Sequence, residues 1–154
     1  MSSETLVSVV GTILYVWVYP VLLWAPLLLA KRLRSLFKTL PPTNAWLPAY
    51  LLTMGVAAVP FLAALIGVAA ETGIEDGAVF ANTLLQVLSV IGVGYVGGAP
   101  VVGVVGLPRA GIDWDPTGYG VGTWLLLAVG GLWYALLFVV PLGILSLFVA
   151  LPTG

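Results

Sequence analysis

The sequence contains no cysteine and no histidine. The missing cysteine excludes disulfides, thiolate metal sites, iron–sulfur clusters and thiol nucleophiles. The missing histidine excludes imidazole-ligated haem, copper and zinc, and acid–base catalysis by an imidazole. We therefore predict a protein that is not an enzyme, has no metal site and has no cofactor of its own.

Charge is also scarce. Only 7% of the 154 residues are charged, and the net charge is −1, whereas soluble domains carry about 25% charged residues. A nucleic-acid partner is not expected, because its recognition needs a basic surface. Hydrophobic residues make up 61% of the chain, which is more apolar surface than a soluble fold of this size can bury. The composition predicts an integral membrane protein.

The few charges divide the chain into four long uncharged runs, each able to hold one spanning helix of about 20 residues. The start of the chain, Met1–Glu4, is acidic rather than basic, so we expect a retained first helix rather than a cleaved signal peptide. The predicted fold is all-α, a polytopic membrane protein with a single domain over 1–154. Its four transmembrane helices are predicted at 5–30, 48–70, 78–105 and 123–151.

The basic residues set the expected orientation. Four of the five lie just after the first helix, and Arg109 follows the third. The positive-inside rule then places the loops 31–45 and 106–122 in the cytoplasm and both termini outside. We expect the cytoplasmic membrane of a prokaryote, because no organelle-targeting segment is evident.

The first loop has the pattern of an amphipathic helix. Leu33, Leu36, Phe37 and Leu40 recur at helical spacing, which favours a helix lying in the membrane interface. The lipid-headgroup candidates are Lys31, Arg32, Arg34 and Lys38. Docking of a protein partner is the alternative.

The two halves of the chain resemble each other. Val7–Gly11 is similar to Leu88–Gly92, and Val59-Pro60 to Val140-Pro141, at offsets of about 80 residues. The pattern favours two tandem, parallel helical-hairpin repeats, 1–77 and 78–154, related by an axis along the membrane normal. Chance similarity between apolar segments is the alternative.

The third helix holds the candidate site residues. Asn82, Gln86 and Ser89 lie on one helical face, where polar side chains either bond to a neighbouring helix or line a polar pathway. Gly94 and Gly98 have the spacing of a helix-packing motif. The sequence Gly97-Gly98-Ala99-Pro100 predicts a break, which either serves packing or frees carbonyl groups to bind a cation.

Two further parts of the sequence have residues that could bind a ligand. Asp113 and Asp115, and the acidic residues of the second loop, are expected to be turn and cap residues rather than Mg²⁺ or Ca²⁺ ligands. The aromatic residues of the first helix are expected to serve packing. The alternative is a pocket for bound lipid, an isoprenoid or a pigment.

Three functions fit these patterns. The first is a non-catalytic accessory subunit of a larger membrane complex, packed through glycine-rich and aromatic helix faces against other subunits and lipid. The second is a small homo-oligomeric channel or transporter, restricted to neutral solutes because no ionisable residue is expected inside the membrane. A lipid-modifying enzyme using interfacial carboxylates ranks last.

Overall fold

The computed structural model describes residues 11, 16–41 and 45–151. In these ranges the chain is helical and has no strand. We number the helices α1 Val16–Leu29, α2 Lys31–Thr39, α3 Trp46–Thr72, α4 Gly77–Arg109 and α5 Val121–Ala150. The part of the predicted first helix that precedes residue 16 lies almost wholly outside the described residues.

Three of these helices, α3, α4 and α5, are long and apolar enough to cross a membrane. Each of them extends one to four residues beyond the predicted span at either end. The exception is the C-terminal end of α5, which is one residue shorter than predicted. Asp76 begins α4 because its carboxylate accepts a hydrogen bond from the Val79 N–H at 3.2 Å, which satisfies one of the donors left free at a helix start.

The chain forms two compact units, 1–58 and 59–154, divided inside α3. In the first unit, α1 ends in a tight 3-10 turn, Ala25–Leu29, and α2 leaves it at 119°. The indole N–H of Trp17 donates to the Leu51 carbonyl at 2.8 Å, and the Tyr50 hydroxyl donates to the Val21 carbonyl at 2.5 Å. These two bonds join α1 to the start of α3.

The second unit is built on the antiparallel pair of α4 and α5. Gly131 lies against the Tyr95 carbonyl and Gly77 against the Val149 carbonyl, so closely that a methyl group at either glycine would overlap that oxygen. Glycine lets two helix backbones approach because it has no side chain. The pair therefore depends on these two glycines.

Aromatic rings fill the core of the second unit. Phe61 of α3 is fully buried and stacks on Phe138 of α5 at 4.8 Å. Tyr95 of α4 stacks on Tyr134 of α5 with their ring centroids 5.6 Å apart. The ring centroids of Phe61 and Tyr95 are 5.2 Å apart. Such ring pairs add about 0.5–1.5 kcal/mol each to the energy of burial. The cluster fastens three apolar helices to one another.

Replacing Gly131 by alanine should destabilise the protein. The new methyl group would meet the Tyr95 backbone, which only a shift of one helix can relieve, at a cost of about 1–3 kcal/mol. Gly94→Ala is the matched control, because Gly94 has no atom within 4 Å of an added methyl and alanine is the better helix former by about 1 kcal/mol. We expect thermal unfolding in detergent to show a lower Tm for Gly131→Ala and an equal or higher Tm for Gly94→Ala. Equal Tm values for both variants would contradict the close backbone contact.

Candidate functional site

The three side chains of the polar stripe of α4, Asn82, Gln86 and Ser89, are all exposed. Gln86 donates to the Asn82 side-chain oxygen at 3.4 Å, and the Ser89 hydroxyl donates to the Leu85 carbonyl at 2.7 Å. The predicted bonds to a neighbouring helix are therefore not formed within the described residues, because the α4 face that meets α5 is a different one.

An apolar groove of about 470 Å³ continues this face of α4. The polar stripe enters it at Ser89, and the rest of the α4 side includes Gly92, Val93 and Gly97. The α5 side consists of Leu132, Ala135, Leu136 and Val139. An added methyl at Gly97 would meet nothing within 4 Å, so the groove is open along α4. We call the stripe and the groove together the uncovered face.

The predicted packing at Gly94 and Gly98 is not made within the described chain, because neither glycine has an atom within 4 Å of where a side chain would begin. Their packing against a helix of another subunit stays a prediction. The contacts instead use Gly77, Gly131 and Gly103, and an added methyl at Gly103 would overlap the Leu127 side chain. Spacing alone does not show which face of a helix meets its neighbour.

The α-helical winding ends at Pro100, where the sequence predicts a break, but the helix does not stop there. It continues as a wider, π-helical stretch, Val101–Gly106. The Val101 N–H donates to the carbonyls of Gly97 and Gly98, so these two oxygens are not freed to bind a cation. The helix thus continues past Pro100 with a wider winding instead of stopping.

The π-helical stretch leaves one carbonyl for the next loop to satisfy. In this winding each N–H donates to the carbonyl five residues earlier, as the Leu107 N–H does to Val102. The next donor would be residue 108, which is a proline and has no N–H. The Gly103 carbonyl instead accepts the indole N–H of Trp114 at 2.7 Å. Trp114 is only 1% exposed, so it both fills space and replaces the missing donor.

Asp115 organises the loop that carries Trp114. Its carboxylate accepts from the Thr117 N–H at 3.0 Å and from the Thr117 hydroxyl at 2.7 Å. Its other oxygen accepts from the Thr123 hydroxyl at 2.5 Å. Asp115 and Thr123 are buried, so these bonds tie the loop to the first turn of α5. The structure thus places Asp115 in the turn role that the sequence predicts, but not in the cap role, because the start of α5 at Gly120 has no side-chain cap.

Asp113 lies on the exposed side of the same loop. It accepts from the Tyr119 hydroxyl at 2.6 Å, and that hydroxyl accepts the Trp114 N–H at 3.1 Å. Partial burial and the bond to Asp113 raise the pKa of Tyr119 above its ordinary value. A tyrosine hydroxyl is protonated at neutral pH even at its ordinary pKa of about 10, so Tyr119 can donate to Asp113. Among the described residues, no group of three acidic side chains is placed to hold a metal ion.

The basic loop forms α2, as its periodicity predicts. Leu33 and Phe37 are buried, while Lys31, Arg34 and Lys38 are exposed and Arg32 is partly exposed. Phe37 makes edge-on ring contacts with Trp24 at 5.8 Å and Tyr50 at 5.3 Å. Much of the apolar face of α2 thus packs on protein, whereas the sequence analysis places it among lipid chains. The aromatic residue Trp24 of α1 is used in this packing.

The sequence analysis did not predict the hydrogen bond between Trp114 and Gly103. Pro108 was the residue in the sequence that indicated it. A proline near the end of a predicted helix predicts an unpaired carbonyl upstream, and a nearby tryptophan can supply a donor. What the sequence does not show is the π-helical winding that selects Gly103 rather than its neighbour.

The chain belongs to the family described as a domain of unknown function, DUF8162, whose model matches residues 3–153. No curated protein and no solved structure matches the chain.

Replacing Trp114 by phenylalanine should cost stability because it leaves the Gly103 carbonyl buried without its donor, a penalty of about 1–3 kcal/mol. Trp124→Phe is the control, since Trp124 lies nearby at the start of α5 and is 37% exposed. We expect a lower Tm for Trp114→Phe than for Trp124→Phe, and faster amide exchange over 101–109. A Trp114→Phe variant as stable as Trp124→Phe would show that the indole N–H is not needed.

Proposed function

We propose that this DUF8162 family member is a non-catalytic accessory subunit of a larger membrane complex, and that the uncovered face of α4 and α5 receives a transmembrane helix of another subunit. The observation that carries the proposal is the exposed stripe of Asn82, Gln86 and Ser89 beside an open apolar groove.

Side-chain amides are costly in lipid because lipid tails offer no hydrogen-bonding partner. Asn82 and Gln86 bond to each other at the 3.4 Å separation, and that single bond uses one donor and one acceptor of the pair. Two amide groups carry four donors and two acceptor oxygens between them. A neighbouring helix with a hydrogen-bonding side chain would satisfy more of this capacity.

The position of the stripe supports an occupant inside the membrane. Gln86 and Ser89 lie nine and twelve residues after the start of α4 at Gly77, or about 13–18 Å along its axis. That depth lies in the central part of a hydrocarbon core about 30 Å thick. The groove beyond Ser89 has Gly92 and Gly97 along it, and small residues let a second helix pack closely.

The membrane arrangement that we propose has four crossings. The bent pair of α1 and α2 is long and apolar enough for a fourth span only when the two helices are counted together. We propose that the uncharged run 5–30, which includes α1, makes this crossing and that α2 lies at the surface. The loops 31–45 and 106–122 then lie in the cytoplasm of a prokaryotic cell, with both termini outside, because those loops hold all the basic residues.

We also propose that the two hairpins arose by duplication. The second helix of each half carries an internal proline, Pro60 in α3 and Pro141 in α5. The first helices differ, since α1 turns sharply before α2 whereas α4 runs on through its π-helical stretch. On this proposal the halves have diverged most where the loops begin.

A small channel or transporter for a neutral solute is the second candidate. The same stripe favours it, because self-assembly could turn Asn82, Gln86 and Ser89 of several copies toward a shared pathway. The occupant of the uncovered face separates the two functions: a foreign helix in one case, another copy of this chain in the other.

Site-specific cross-linking identifies directly what lies on the uncovered face. Because the sequence has no cysteine, each variant carries a single thiol at a chosen position. A photo-activated cross-linker is attached at Ser89→Cys in native membranes. Val59→Cys is the control, because Val59 is 57% exposed on α3 and does not line the groove. It lies 13 residues before the end of α3, and Ser89 lies 12 residues after the start of α4, so the two positions have similar depths. We expect one foreign protein to be captured from position 89 and not from 59, and to co-purify in fixed stoichiometry in mild detergent.

Gln86→Leu should reduce that co-purification about three- to tenfold, as expected for a polar contact of about 1 kcal/mol between membrane helices. Adducts of about twice the chain mass, with no foreign subunit, would contradict the accessory role and favour the homo-oligomer. A bound pigment would add visible absorbance to the same sample. Equal adduct patterns from positions 89 and 59 would contradict a specific docking face.

A further inference from the structure

We infer that the exposed face of α2 is a binding site for anionic phospholipid headgroups. The inference uses the crossing of α1 proposed above but not the partner helix of α4 and α5, so failure of the subunit proposal leaves it standing.

The bend after α1 orients α2 along the membrane surface. The two helices meet at 119°, which is about 30° beyond a right angle. If α1 crosses the membrane near its normal, α2 turns back toward the bilayer and descends by about 7 Å over its nine residues. A helix at this angle lies in the headgroup region rather than in water.

The rotation of α2 about its own axis is fixed by the protein. Leu33 and Phe37 are 1% and 2% exposed, and Phe37 is held between the rings of Trp24 and Tyr50. Tyr50 is held in turn by its bond to the Val21 carbonyl. Because these contacts hold the apolar side of α2 against the protein, the side chains on its opposite face point outward. Binding a ligand there does not require α2 to reorient.

That outward face is a row of cations. Lys31, Arg34 and Lys38 are exposed and follow one another at spacings of three and four residues, which places them on one side of a helix over about 10 Å. The sequence has no acidic residue between Glu4 and Glu71. The positive potential of this face is therefore not cancelled by a neighbouring carboxylate along this stretch of chain.

Phosphate is the chemistry that this row recognises. Arginine binds phosphate oxygens with two parallel N–H groups and lysine with a compact charge. The partly exposed residues Leu36 and Leu40 flank the row and would contact acyl chains below the headgroup. A free phosphate ion would use the cations alone, whereas a phospholipid uses both.

The test titrates lipid into the purified full-length protein in detergent and counts bound lipid by native mass spectrometry. The probes are phosphatidylglycerol, phosphatidylcholine and inorganic phosphate. We expect phosphatidylglycerol to bind at least tenfold more tightly than phosphatidylcholine. Neutralising the row in Lys31→Gln/Arg34→Gln/Lys38→Gln should weaken that binding about 100-fold, at roughly fivefold per cation.

Two matched variants make the result specific. The charge-preserving Lys31→Arg/Arg34→Lys/Lys38→Arg should retain binding within a few-fold. Glu71→Gln/Glu75→Gln, which removes one exposed charge in the last turn of α3 and one in the following loop, should leave it unchanged. Far-ultraviolet circular dichroism checks that every variant keeps its helix content.

Several outcomes would overturn the inference. These are equal binding of both lipids, retention of phosphatidylglycerol by the neutralised variant, and displacement of the lipid by an equal concentration of inorganic phosphate. Tight binding of a purified acidic protein to α2, with no preference between lipids, would show instead that the face docks a protein.

Discussion

The bilayer core contains no water to bond to the backbone, and in a chain whose helices are apolar enough to span a membrane this constraint accounts for the bond between Trp114 and the Gly103 carbonyl. Every proline in a spanning helix removes a donor, and the protein must replace that donor itself. The clearest case is the Gly103 carbonyl, which Pro108 cannot serve in a π-helical winding and which the Trp114 indole reaches from the following loop. Among the described residues, no buried side-chain nitrogen or oxygen is left without a hydrogen-bond partner.

The bond to Gly103 also accounts for the order of the loop after α4. The Trp114 indole can donate to the Gly103 carbonyl only if the loop holds the indole in place. Asp115 does this through Thr117 and Thr123, and Asp113 does it through Tyr119. Asp113 and Asp115 thus position Trp114 through hydrogen bonds within the loop. Against this background the exposed amides of Asn82 and Gln86 are exceptional, which is why we assign them to a surface that meets another helix.

Much of the fold follows from the sequence because hydrophobic length is a strong signal in a membrane protein. The bounds of α3, α4 and α5 and the helical character of α2 were predictable from charge-free runs and from periodicity. The packing was not. Gly94 and Gly98 have the expected motif spacing but face open space, whereas Gly77 and Gly131 carry the contacts without forming that motif. Which face of a helix is covered depends on its neighbours, and one sequence does not contain that information. The sequence predicts the position of the irregularity at Pro100 but not its form, since local propensity cannot show that a helix will widen rather than stop.

The central claim is that the chain crosses the membrane four times, with its polar contacts arranged to serve those crossings. Single cysteines at Ser2, Pro41, Ile74 and Ala110, probed with a membrane-impermeant maleimide in intact cells and after permeabilisation, test it most directly. We predict labelling of Ser2→Cys and Ile74→Cys from outside, and of Pro41→Cys and Ala110→Cys only after permeabilisation. Labelling of Ser2→Cys and Pro41→Cys from the same side would contradict a crossing by α1. Labelling of Ile74→Cys and Ala110→Cys from the same side would contradict a crossing by α4, and with it the account of why Trp114 is where it is.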